Sequence, residues 1–201
     1  MKTVLIILIS YLFGSIPWAL VIGKVFYHKD IRQFGSGNLG ASNAGRVLGK
    51  HVAVIVTVLD ALKAFISMWI ASMIAPEAII YAGLACCIGH CFPVFAQFKG
   101  GKAVATSYGF FLGITVFLTQ NWFWNFLFPI LVFFAVLYAT KIVSVSSMTA
   151  LLCEAVASLI LRQPVQVTVA LFVIWAFVTY RHKSNIDRIR KGTESRIKWM
   201  G

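Results

Sequence analysis

Residues 52–74 read VAVIVTVLDALKAFISMWIASMI, and only Asp60 and Lys63 in that run carry charge. A helix needs about 20 mostly apolar residues to cross a bilayer, and this stretch supplies them. Asp60 and Lys63 stand three apart, so a helix puts them on one face. Either charge alone in hydrocarbon is expensive, so a structural ion pair is expected, with a catalytic pair as the alternative.

The whole chain repeats this character. It is 60% hydrophobic and 12% charged over 201 residues, with a mean hydropathy of +0.86. A soluble domain carries roughly twice that share of charge to make a polar outer layer. The chain therefore reads as an all-α integral membrane protein forming one membrane domain over residues 1–201. Seven spans are expected, at about 3–23, 52–74, 77–96, 103–119, 122–140, 143–161 and 165–180. Ala75-Pro76-Glu77, Thr119-Gln120-Asn121 and Arg162-Gln163-Pro164 punctuate the series, with Pro76 ending one helix and opening the next. Cys86, Cys87, Cys91 and Cys153 all lie in apolar runs without the spacing of a zinc site, so they read as small buried hydrophobes and no metal is expected.

The net charge of +12 does not point to nucleic acid, because the basic residues sit between apolar runs. The loop after the first span holds Lys24, Lys29, Arg32, Arg46 and Lys50. The loop after the third holds Lys99 and Lys102, and the loop after the fifth holds Lys141. The tail holds Arg181, Lys183, Arg188, Arg190, Lys191, Arg196 and Lys198. With seven spans all of these fall on one side, leaving Lys2 and Arg162 on the other. By the positive-inside rule the N-terminus is outside and the C-terminus cytoplasmic.

Three polar clusters fall on that basic side. The first runs from Gly35 to Arg46. Glycines at 35, 37 and 40 let backbone N–H groups approach an anion. Ser36, Asn38, Ser42 and Asn43 add donors, and Arg46 offers a planar fork suited to phosphate. A flexible linker is the competing reading, but a linker needs neither the arginine nor the asparagines. The second cluster, Lys99-Gly100-Gly101-Lys102, precedes the fourth span, where helix N-terminus, glycine amides and ammonium groups together favour phosphate. His90, just upstream, reads more simply as a satisfied core histidine than as a ligand contact. The third cluster, Arg181 to Glu194, is richer in His, Ser and Asn than a plain lipid-binding basic tail. Glu154, mid-span and without a visible partner, reads as a packing hydrogen bond or a protonated carboxyl.

GSGNLGASN at 35–43, GHCFPVFAQFKGGKAVAT at 89–106 and RHKSNIDRIRKGTE at 181–194 resemble, in order and over essentially the whole chain, the bacterial acyl-phosphate:glycerol-3-phosphate acyltransferases of the PlsY family. The Asp60–Lys63 spacing resembles the family too. Two positions depart from it. Ser42 stands where the family commonly has threonine, and Ala103 stands where it commonly has glycine. The Ser42 change keeps the hydroxyl, and an alanine in the first turn of a helix is expected to be unstrained.

The resemblance implies transfer of a fatty acyl group from acyl phosphate to the 1-hydroxyl of glycerol 3-phosphate. The products would be lysophosphatidic acid and inorganic phosphate, in the first acylation of bacterial phospholipid synthesis. No cofactor is implied, and the partners are the two substrates and membrane lipid. The setting is the bacterial inner membrane with a cytoplasmic-side site, and the working expectation is a monomer. It implies that Ser36, Arg46, Lys102, His182 and Asn185 are active-site residues, that Gly100 and Gly101 join Lys102 in binding the glycerol phosphate, and that Glu194 is structural. Asn38 and Asn43 are added as substrate contacts from their donor groups. The proton of the attacking hydroxyl goes either to the substrate's own phosphate or to His182. The acyl chain is expected in a groove lined by residues such as Phe92 and Phe95. A transporter or channel for a phosphorylated anion is the competing function. It is disfavoured because the polar chemistry lies on one side and no inverted pair of broken helices is visible. A structural scaffold would leave the Gly35–Arg46 and Lys99–Lys102 clusters without a role.

Overall fold

The computed structural model describes residues 1–197; Lys198, counted above among the tail cations, lies outside the described residues. Among them all regular structure is helical, with no strand. The α-helices are α1 (Lys2–Gly14), α2 (Trp18–Tyr27), α3 (Ala41–Leu48), α4 (Lys50–Ile74), α5 (Ile79–Cys91), α6 (Val104–Ile114), α7 (Phe128–Thr140), α8 (Val143–Ile160), α9 (Val165–Arg181) and α10 (Lys183–Arg190). The chain divides into two compact units, Met1–Gly113 and the remainder from Ile114.

Four helical stretches are long and apolar enough to cross a membrane: Lys50–Ile74, Pro76–Ala96, Phe123–Thr140 and Val143–Ile160. Two bent pairs bring the number to as many as six, α1 with α2 at 40° and α9 with α10 at 59°. Val104–Thr119 is apolar but shorter. It is α6 continued by a π-helical turn, Thr115–Thr119; a second π-turn, Phe123–Leu127, leads into α7.

The first expected span is thus two helices, and the sequence contains the reason. Pro17 has no N–H and disfavours helical backbone at Ile16. Ser15 then caps α1, its Oγ donating to the Tyr11 carbonyl at 2.8 Å. The break leaves the Ile16 carbonyl open to a side chain, and Lys63 Nζ donates to it at 3.3 Å.

Small residues set the helix spacing in the first unit. A Cβ at Gly14 would overlap the Cys86 backbone, and one at Gly89 would overlap the Tyr11 carbonyl. α1 and α5 therefore touch main chain to main chain, the contact by which helices gain dispersion energy where lipid offers no hydrophobic drive. Gly109 of α6 meets the Ala61 carbonyl of α4 in the same way. Val54, Ile55, Val58, Trp69 and Met73 of α4 are exposed while Asp60 and Lys63 are buried. That inside-out pattern suits a lipid solvent and no aqueous one.

Ile31, Leu39 and Ala44 are buried with Val52, Val56 and Ala96 in one apolar cluster. The segment between α2 and α4 is therefore no flexible linker. Leu39 pins it to the bundle, and α3 grows out of it.

In the second unit α8 buries Ser144, Ser146, Ser147 and Ser158. Ser146 and Ser147 donate back to the Ile142 and Val143 carbonyls at 2.9 and 2.8 Å, so their polarity is met within the helix. Glu154, for which the sequence showed no partner, has one. Asn125 Nδ2 donates to its Oε1 at 2.9 Å. The same amide donates to Gln163 Oε1 at 2.9 Å and accepts from Gln163 Nε2 at 3.1 Å, and Thr119 Oγ1 donates to Asn125 Oδ1 at 3.0 Å. The packing hydrogen bond expected of Glu154 is therefore present.

Gly89→Leu should drive a side chain into the α1 backbone and cost about 3 kcal/mol, an overpacking penalty. At this chain size that is a fall of roughly 6–12 °C in the thermal midpoint. Ile88→Leu at the neighbouring exposed position should leave it unchanged, as melting in detergent can check.

Candidate functional site

The glycine-rich segment of the first unit is built around one buried amide. Asn43, on α3 and 1% exposed, donates from Nδ2 to the carbonyls of Ile31 at 3.1 Å and Phe34 at 3.2 Å. Its Oδ1 accepts from the Ser36 N–H at 2.8 Å and from Arg46 Nη1 at 3.4 Å. Two donors and two acceptor positions are the full capacity of an asparagine amide. Asn43, expected to contact substrate, is thus occupied in holding the loop, and it binds Ser36 and Arg46 to the same oxygen.

Gly35 has φ of +61°, and a Cβ there would overlap Asn43 Oδ1. Glycine is required at this position both by the left-handed backbone and by the amide packed against it. Gly37 is also left-handed, at +67°. Upstream, Asp30 caps the turn Ile31–Gln33 and accepts from Arg32 Nε at 2.9 Å and Nη2 at 2.6 Å. Those hydrogen bonds hold the Asp30 carboxyl down at about 2. Arg32 is therefore neutralised locally. Ser36 and Arg46 are exposed, and Arg46 sits in the last turn of α3.

Asn38 links this segment to the second cluster. Its Oδ1 accepts from the Gly40 N–H at 2.9 Å, and its Nδ2 reaches the Gly100 carbonyl at 3.5 Å. The Gly100 N–H donates to the Cys91 carbonyl at 3.1 Å and the Gly101 N–H to the His90 carbonyl at 3.0 Å. These two amides, expected to face an anion, instead fold the turn back onto the end of α5. The glycines are needed for closeness. A Cβ at Gly100 would overlap the His90 carbonyl, and one at Gly101 would overlap the His90 imidazole at Nε2. Lys99 is exposed and Lys102 half-buried, two residues before α6 opens at Val104.

Ala103 departs from expectation. It precedes the helix instead of lying in its first turn, with φ of +59°, a left-handed conformation that costs an L-residue with a Cβ roughly 1–2 kcal/mol. It is fully buried, so its methyl packing offsets part of that strain.

Beneath the turn lies a charge cluster that the sequence showed only in part. Lys63 Nζ is 2.9 Å from Asp60 Oδ1 and 2.8 Å from His90 Nδ1, and all three side chains are buried. The ion pair was legible from its spacing. His90, on a different helix, was not.

In the second unit the third cluster bends through 59° from α9 into α10. His182 sits at the bend, 3% exposed, with Nδ1 2.7 Å from the Val178 carbonyl. A carbonyl can only accept, so Nδ1 carries a proton. Glu194 gathers the tail. It accepts from Asn185 Nδ2, from Arg188 Nε at 2.6 Å and from Ser144 Oγ at 2.9 Å. Burial alone would raise its pKa, but the hydrogen bonds from Asn185, Arg188 and Ser144 outweigh it and hold the carboxyl below its ordinary value. Phe92 is half-buried and Phe95 exposed.

The family model for glycerol-3-phosphate acyltransferase matches residues 4–192. A glycerol-3-phosphate acyltransferase of Staphylococcus haemolyticus (strain JCSC1435) is 42% identical, with 100% of each chain covered. One of Staphylococcus carnosus (strain TM300) is 41% identical over the same full coverage. A crystal structure of PlsY, an integral membrane glycerol 3-phosphate acyltransferase, in its glycerol 3-phosphate form superposes with a TM-score of 0.89 at 36% identity, over 98% of this chain and 96% of that one. The lysophosphatidic acid form of PlsY superposes at 0.86 with 35% identity and the same coverage.

The lowered Glu194 carboxyl has a signed consequence. A depressed folded-state pKa contributes stability above the ordinary value of 4.5, and the contribution is lost as pH falls through the folded value. The melting advantage of the native chain over Glu194→Gln should therefore be constant near neutrality and shrink below about pH 4.5. Paired melting curves at pH 7 and pH 3.5 check this.

Proposed function

From the premise that the chain belongs to the glycerol-3-phosphate acyltransferase family, we propose that it moves a fatty acyl group from acyl phosphate to the 1-hydroxyl of glycerol 3-phosphate. The products are lysophosphatidic acid and inorganic phosphate. The observation that carries this reading is the joining, in the first unit, of two cation-bearing segments far apart in sequence. Asn43 fixes Ser36 and Arg46 together, and Asn38 reaches the turn that presents Lys102.

An acyl phosphate is a mixed anhydride, so its phosphate already leaves readily and no covalent intermediate on the protein is needed. The hydroxyl oxygen attacks the acyl carbonyl carbon, the bond from that carbon to the phosphate oxygen breaks, and the phosphate departs with its electron pair. The protein's task is to hold two mutually repelling anions in contact and to stabilise the developing oxyanion. In water their repulsion at ~4 Å is about 1 kcal/mol per unit charge pair, and larger where solvent is excluded. The Arg46 guanidinium and the Lys102 ammonium offset it, and the exposed Ser36 hydroxyl donates to a phosphate oxygen or to the oxyanion. Asn43 acts through the loop, not on substrate.

The departing proton goes to the phosphate of the acceptor itself or to His182. The second route is served by the imidazole's orientation. With Nδ1 donating to the Val178 carbonyl, the basic nitrogen of the neutral ring is Nε2, held in place by the bond on its other side. Asn185 is a further residue of the reaction by its place in the third motif, and Glu194 orients it.

Seven crossings follow if each bent pair is one span and Val104–Thr119 crosses as well. At about 24 Å that helix spans a locally thinned bilayer. The basic loops then face the cytoplasm, the N-terminus lies outside, and the enzyme works at the cytoplasmic side of the bacterial inner membrane.

Purified protein should release inorganic phosphate from palmitoyl phosphate only when glycerol 3-phosphate is present. Arg46→Ala should lower that release at least 100-fold, the scale of losing a charged contact to the transition state, with no change in melting. Release without the acceptor, or none with it, overturns the acyl-phosphate reading. His182→Ala discriminates the base: a loss of over 100-fold at saturating substrates supports the imidazole, and retention of most activity assigns the proton to the substrate phosphate.

A further inference from the structure

His90 lies in the first unit between a buried ion pair and the turn that presents Lys102. On one side Lys63 Nζ is 2.8 Å from His90 Nδ1. An ammonium has three donors and no acceptor, so Nδ1 must be the acceptor and carries no proton. The ring proton is then on Nε2. Asp60 Oδ1, 3.4 Å from Nδ1, therefore takes no hydrogen bond from it and serves Lys63 instead, at 2.9 Å. The third Lys63 donor goes to the Ile16 carbonyl at 3.3 Å. Each of these partners comes from a different piece of structure: α4, the break between α1 and α2, and the end of α5.

On its other side the imidazole fills the place where a side chain at residue 101 would go. Gly101 has no left-handed backbone to justify glycine, since its φ is outside that region. What excludes a Cβ is His90 Nε2. The His90 carbonyl meanwhile accepts the Gly101 N–H at 3.0 Å, and its neighbour Cys91 accepts the Gly100 N–H at 3.1 Å. Ring and carbonyl of the same residue thus hold Gly101 from two directions, one residue before Lys102.

We propose that His90, oriented by the Asp60–Lys63 pair, is a positioning residue that sets the Gly100–Lys102 turn for the phosphate of glycerol 3-phosphate. This rests on reading that turn as the phosphate site. The buried pair is then not merely structural. Its ammonium selects the tautomer of His90, and the ring selects glycine at 101. Glutamine at 90 reproduces the arrangement, because its amide offers one acceptor for Lys63 and one donor beside the turn.

The test is steady-state phosphate release from palmitoyl phosphate, titrated with glycerol 3-phosphate. His90→Ala should raise KM for glycerol 3-phosphate about tenfold or more, with kcat within about threefold, as a displaced binding group requires. His90→Gln should return KM to within about threefold of the native value. Gly101→Ala should be as defective as His90→Ala, and the double variant no worse than Gly101→Ala alone, because both disrupt one contact. Should His90→Ala fail to fold, the Gln and Gly101 variants carry the test. Unchanged KM in a folded His90→Ala, no recovery with Gln, or additive effects at 90 and 101 would overturn the proposal. Lys102→Ala run in parallel separates the two levels. If it leaves KM for glycerol 3-phosphate unchanged, the phosphate-site reading itself falls. If it raises KM while the His90 variants behave natively, only the role given to His90 falls.

Discussion

The ammonium of Lys63, 1% exposed inside an apolar helix bundle, is the constraint around which the first unit is arranged. A buried cation persists only if every donor is met, and removing one partner of such a cluster costs about 3–5 kcal/mol. Lys63 meets the requirement by drawing Asp60 from its own helix, a main-chain carbonyl from a proline break and an imidazole from α5. The Pro17 break in the first span, the end of α5 and, through His90, the Gly100–Lys102 turn all meet at that one group. Glycines at the α1–α5 contact allow the approach that makes it possible.

The same logic recurs at the other two motifs. Buried Asn43 gathers four hydrogen bonds and thereby fixes a loop whose useful groups, Ser36 and Arg46, remain exposed. Glu194 gathers Asn185, Arg188 and Ser144 and fixes the tail onto α8 and α10. In each case a multiply bonded polar group supplies rigidity, and in the first motif the neighbours of buried Asn43, Ser36 and Arg46, stay exposed. For the acyl transfer proposed above, which mainly needs two anions held together, such preorganisation is the chief thing a protein can supply. It also separates, among residue types that look alike in the motifs, the buried loop-holding ones from the exposed ones.

How much could be read beforehand varied with the range of the interaction. The helical membrane character was legible, because hydropathy over about 20 residues is a local property. The three motif segments and the Asp60–Lys63 face were legible for the same reason, since they lie within a few residues of each other. The partners of Glu154 and Lys63 were not, because Asn125 and His90 stand 29 and 27 residues away along the chain and on other helical segments. The strain at Ala103 was missed because the boundary of α6 falls one residue later than the pattern suggested. The Gly100 and Gly101 amides were expected to face a ligand, since nothing local shows that the end of α5 folds back to accept them.

Apolar runs and turn residues were thus enough to specify a helical membrane protein with three polar motif segments, since each depends on chain composition over short distances. Which polar groups are bonded inside the fold, and which stay exposed, was set by hydrogen bonds between residues distant along the chain. Those bonds exist only once the helices have packed, because burial is what makes an unmet donor or acceptor costly enough to choose a partner.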